Sequence, residues 1–190
     1  MSEYQYYEFC NINKPISSEV RTEMRAISSR TKVTSHGVSY TYNYGDFRGN
    51  PKEILAKYFD VFFYICNFGT LQLMFRYKKE DIDINKLKPY LIKYAIEYET
   101  YGDYVLLDIT INDDNGGWGW VEGEEILADL LPLYEEIKNG NYQLFLLIAM
   151  INATYTGKDQ SMIDALQESL TSLSFAQRAF IKAIDFSVCL

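Results

Sequence analysis

The chain has 190 residues, 48% hydrophobic and 23% charged, with 11 Gly and 4 Pro. That excludes a disordered, collagen-like or low-complexity protein and leaves room for one domain, or one domain plus a helical appendix. The formal net charge is −8, which repels phosphate and makes nucleic-acid binding by the whole chain an unfavourable reading.

Residues 4–12 are rich in Tyr and Phe and read as a strand stopped before Pro15. Ser17 is a good N-cap, and Val20, Met24 and Ile27 then fall on one helical face up to Ser28-Ser29. Residues 32–44 read as extended, with Val33, Val38, Tyr40, Tyr42 and Tyr44 alternating with small polar residues. A loop follows, and Pro51 opens a short helix ending near Tyr58. Residues 61–66 and 71–77 flank the turn Asn67-Phe68-Gly69-Thr70 and predict a hairpin. Asp83 caps a short helix over residues 83–90, and residues 95–100 and 104–112 predict a second hairpin. In its second strand Val105, Leu107, Ile109 and Ile111 face one way, and Tyr104, Leu106, Asp108 and Thr110 the other. A Gly-rich stretch from Asp113 to Trp120 marks a boundary. Beyond it lie an amphipathic helix bent near Pro132, an almost wholly apolar helix over residues 142–155, and helical stretches over 161–173 and 174–188.

This pattern predicts an α+β fold. A mixed or antiparallel sheet, for which a ferredoxin-like topology is compatible, occupies residues 1–120. A C-terminal antiparallel helical bundle over residues 121–190 packs on it. The chain stops inside an apolar run, which fits a last helix that packs fully or a chain cut from a longer one. Thirty aromatic residues, 17 of them Tyr, imply many half-buried positions on strands or at an interface. Residues 1–80 carry a net charge of +3 and residues 81–190 one of −11. That asymmetry fits two solvated surfaces of opposite sign or a device steering self-association.

Several segments resemble a family of uncharacterised bacterial proteins. They are Tyr4-Gln5-Tyr6-Tyr7-Glu8-Phe9, Arg25-Ala26-Ile27-Ser28-Ser29-Arg30, Tyr44-Gly45-Asp46-Phe47-Arg48-Gly49-Asn50-Pro51, Asn67-Phe68-Gly69-Thr70 and Trp120-Val121-Glu122-Gly123-Glu124. The resemblance implies a bacterial cytoplasmic protein whose relatives continue past this C-terminus. It supplies no activity.

Candidate chemistry is sparse. Arg25, Arg30 and Arg48, with Ser28, Asp46 and Asp60, are the candidate ligand-binding set, because guanidinium forks suit phosphate or carboxylate. The competing reading has such arginines paired with Glu19, Glu23, Asp46 and Asp60 to fix loops. Asp60, heading an apolar strand, is a partner for Arg48 or Arg76. Trp118 and Trp120 are a candidate interaction patch or a lock on the linker. Cys10, Cys66 and Cys189 stand far apart and His36 is the one histidine, so reduced thiols and no metal or cofactor are expected. Neither a phosphate loop nor a nucleophile-elbow motif is present. The expected function is a non-enzymatic binding or interaction module of a bacterial cytoplasm. A homo-oligomer or protein partner would sit on the helical region. The alternative is an enzyme or sensor that binds a small anion through the arginine cluster. The longest apolar run, residues 144–151, is too short to span a bilayer.

Overall fold

The computed structural model describes residues 3–113, 121–158, 160–170 and 172–186. Its strands are β1 (Gln5–Cys10), β2 (Thr31–Val33), β3 (Gly37–Tyr42), β4 (Val61–Cys66), β5 (Thr70–Lys78), β6 (Ile96–Tyr101) and β7 (Tyr104–Asn112). They form one sheet in the order β2-β3-β1-β4-β5-β7-β6, with every neighbouring pair antiparallel. The helices are α1 (Ser18–Ile27), α2 (Pro51–Tyr58), α3 (Ile84–Leu87), α4 (Ile126–Leu130), α5 (Pro132–Lys138), α6 (Gln143–Tyr155), α7 (Gln160–Ser169) and α8 (Phe175–Ala183).

Local chemistry explains most boundaries. The Ser17 hydroxyl accepts from Val20 N at the start of α1. Asn50 and Pro51 open α2, where a missing N–H costs nothing. The extended stretch over residues 32–44 is in fact two strands folded back on each other. Thr34 Oγ1 accepts from Gly37 N at 2.9 Å and closes the turn. A Cβ at residue 37 would meet Phe9 O at 2.3 Å, so the strand edge requires glycine there. With no proline in it, this polar turn is easily read as part of one extended stretch.

Because side chains alternate across a strand, the sheet builds two cores. On one face α1 and α2 cover Phe9, Tyr40, Phe62, Met74 and Leu106. On the other, Phe63, Ile65, Phe75, Leu107 and Ile109 share a cluster with Leu127, Leu130, Leu133, Phe145 and Ile148 from α4, α5 and α6. Each such side chain contributes roughly 1.5–3 kcal/mol when fully buried. The kink between α4 and α5 falls at Pro132, as its ring demands. α6 is buried along most of its length, whereas α7 lays Ile163 and Leu166 against the core and buries none of its residues fully. Among the described residues, five helices follow residue 120, more than the three or four that the periodicity suggests. Among the described residues no helix is long and apolar enough to cross a membrane.

Tyr77 and Tyr134 stack at 4.4 Å between centroids. Tyr77 donates to Tyr134 O at 3.0 Å and Tyr134 donates to Arg76 O at 3.1 Å. This exchange fixes α5 against the end of β5, beside a cleft.

Candidate functional site

The cleft has a volume of about 410 Å³ and opens where the loop after β1, the end of α2, the end of β5, the start of β7 and α5 meet. Asp60 organises it. Its N–H donates to Cys10 O at 3.1 Å and its carbonyl accepts from Arg76 N at 2.8 Å, tying β1 to β5 through the residue that opens β4. Its carboxylate accepts from Ile12 N at 3.1 Å and from Arg76 Nη2 at 2.9 Å. The neighbouring Phe59 is fully buried and anchors this turn.

Arg76 reaches across from β5. Its Nη1 donates to Ala56 O at 3.1 Å and its guanidinium lies 4.7 Å from the centre of the Tyr104 ring. Its Nε and the Oδ1 of Asn11 are buried and have no hydrogen-bond partner among the described residues. The pair is only partly exposed, 13% for Arg76 and 27% for Asp60. Removing one partner would therefore strand the other in poorly solvated surroundings. Burial pushes the Tyr134 phenol up, and Asp60, Asp81 and Glu135 push it further. At neutral pH it stays protonated and serves as a donor.

Charges of both signs line the cleft. Lys138 pairs with Asp81 at 3.3 Å, and Lys78 pairs with Glu80 at 3.3 Å. Lys14 and Glu135 also line it, and neither makes an ion pair among the described residues. The arrangement can therefore hold a partner's negative and positive groups at once.

The residues singled out in the sequence divide between the two ends of β1. At one end Gln5 donates to Asp46 Oδ1 at 3.2 Å, and Arg30 donates to Tyr44 O at 3.4 Å with its guanidinium over Tyr42. At the other end stands Asp60, roughly 20 Å away at about 3.3 Å per strand residue. Ser28 ends α1, its hydroxyl accepting from Arg30 N at 3.2 Å. Arg25 and Arg48 are exposed, and neither forms an ion pair among the described residues. Arg25, Arg30 and Arg48 do not line the cleft. The expected loop-fixing partners are engaged elsewhere: Glu23 with Lys57 and Tyr58, Asp60 with Arg76. Of the two partners offered for Asp60, the structure selects Arg76. His36 is exposed, its Nδ1 2.9 Å from Ser35 Oγ. Cys10 and Cys66 are free thiols, and burial pushes Cys10 up to about 11. Trp118, Trp120 and Cys189 lie outside the described residues.

Sequence reasoning missed Tyr104, Tyr134, Glu135 and Lys138 as parts of one site, because they come from β7 and α5 and no short-range spacing links them. Comparison with protein-family models, with curated proteins and with solved structures finds no match to this chain.

Proposed function

We propose that the chain is a non-enzymatic binding module of a bacterial cytoplasm that takes a small zwitterionic ligand in the Asp60–Arg76 cleft. The observation that carries this reading is the leftover charge. The structural pairs Asp60–Arg76 and Asp81–Lys138 are closed, while Lys14 and Glu135, of opposite sign, line the same cleft without an ion pair among the described residues. A carboxylate would sit at Lys14 and an ammonium at Glu135, with the Tyr58, Tyr104 and Tyr134 rings as walls. The ligand-binding set read from the sequence shifts accordingly. Asp60 stays as the organiser, and Arg76 takes the place of Arg25, Arg30 and Arg48.

A ferredoxin-like unit is the fold reading that goes with this. The order β2-β3-β1-β4, with α1 after β1, α2 after β3 and both helices on one face, supports it. β5, β7 and β6 would then extend that sheet, and the C-terminal helices would form a bundle-like cover for its other face.

Titration calorimetry of the full chain with glycine, glutamate, lysine and inorganic phosphate tests the function. At least one amino acid is expected to bind saturably, with affinity falling about tenfold or more in both Lys14→Ala and Glu135→Ala, the loss of one charged contact. Binding of phosphate alone, or of none of the four, overturns the reading.

A further inference from the structure

A second cavity, of about 320 Å³, shares no lining residue with the cleft and lies between the turn that precedes β6, the end of β7 and the end of α6. Its walls include Lys93, Tyr94, Asn112, Asn152, Tyr155 and Thr156, and no Asp or Glu among the described residues lines it. Tyr94 holds φ at +67°. That left-handed conformation is uncommon for a bulky L-residue and is readily adopted by Gly, Asn or Asp. The turn itself demands the conformation: Ile92 and Ile96 exchange backbone hydrogen bonds at 3.0 and 2.8 Å, and Ala95 N donates to Ile92 O at 2.9 Å. It does not demand a tyrosine. The ring is 70% exposed, so it contributes little to the core in return for the strain. Lys93 Nζ lies 4.6 Å from the ring centre and covers it from one side. Strain kept at a position where the fold gains nothing from the side chain points to a use for that side chain.

The polar groups say what kind of use. The Asn152 side chain is half-buried and has no hydrogen-bond partner among the described residues, leaving an amide donor and acceptor for a ligand. Asn112 accepts from Thr70 Oγ1 at 3.0 Å through its Oδ1, which leaves its NH₂ available. Neutral amides, hydroxyls, one ammonium and an exposed ring suit a neutral polyhydroxylated molecule. A cationic ligand would find no carboxylate among the described residues of the wall, and an anion would have to approach a chain of net charge −8.

We propose that this cavity is a saccharide subsite, in which Tyr94 stacks on the C–H face of a pyranose ring while Asn152, Asn112 and Lys93 hydrogen-bond its hydroxyls. NMR-detected titration of the full chain with glucose, galactose, N-acetylglucosamine and cellobiose tests it. Saturable shifts are expected at residues 93–95 and 152–156 with at least one of these sugars. They should weaken at least tenfold in Asn152→Ala and in Tyr94→Gly, and persist in Tyr94→Phe. Tyr94→Gly is expected to melt at the same temperature as the parent or higher, which separates lost binding from lost folding. The proposal fails if none of the four sugars produces such shifts, or if Tyr94→Gly binds as well as the parent. It fails equally if adenosine binds there with the same Tyr94 dependence and the sugars do not.

Discussion

Glu8 lies on β1 next to Tyr6, whose hydroxyl donates to its carboxylate at 3.0 Å. Burial pushes its carboxyl above the usual carboxylate range; the Tyr6 hydrogen bond pulls the other way and the Glu124 charge adds to the rise. In the unfolded chain the same group ionises near 4.3. Below that value both states hold the proton and the fold keeps its full stability from this site. As pH rises from there through the folded value, the unfolded state releases its proton more readily and stability falls. Urea unfolding at pH 4 and pH 7 should therefore show a smaller pH-dependent loss in Glu8→Gln than in the parent, since glutamine keeps the partner for Tyr6 and cannot ionise. An equal loss in both proteins would remove Glu8 as a contributor. How far single residues were legible varied with distance along the chain. Asp60 stood out as a charge heading the apolar run Val61-Phe62-Phe63, and Arg76 lay within reach one hairpin later. Tyr104 and Tyr134, also part of that cleft, carried no such local sign.

Elements were more legible than sites, because their signals are periodic and local. The Tyr–Phe run of β1, the alternation in β7 and the apolar length of α6 each set a distinct pattern of burial, and the structure follows them. α8 shows how much a terminus depends on its cap. The Ser174 hydroxyl accepts from Gln177 N, and the Gln177 side chain accepts from Ser174 N, both at 3.1 Å. Gln177 is itself fully buried and its amide donates to Glu136 at 2.8 Å, joining α8 to α5. Ser174→Ala opens one half of this box and loosens the residue that bridges the two helices. It should cost about 1 kcal/mol in a chemical-denaturation midpoint. Asn139→Ala should lose clearly less, because the last carbonyls of α5 are capped by the backbone N–H groups of Gly140 and Asn141, not by the Asn139 side chain. Where periodicity misled, it did so at a turn: the polar residues 34–37 carry no proline and lie between two alternating stretches, which reads as one extended segment across a reversal.

Strand order was the part that the sequence could not deliver, since it is set by which apolar faces meet across long stretches of chain. β1 lies between β3 and β4, and β7 slots between β5 and β6. Three ion pairs join the basic first half to the acidic second within the chain: Lys32 with Glu124, and Lys52 with Glu99 and with Asp108. The sheet and the C-terminal helices also depend on each other. Phe63, Phe75, Leu107 and Ile109 are fully buried in a cluster closed by Leu127, Leu130, Leu133, Phe145, Leu147, Ile148 and Ile151. At roughly 1.5–3 kcal/mol for each buried side chain, these seven contribute on the order of 10–20 kcal/mol, comparable to the whole ~5–15 kcal/mol by which a typical domain is stable. A fragment of residues 1–113 should therefore show no cooperative thermal transition and should bind a hydrophobic dye strongly, whereas the whole chain melts in one step. Should the fragment melt cooperatively with its near-ultraviolet circular dichroism intact, the face carrying α1 and α2 would suffice to hold the sheet, and the helical region would be a separable cover.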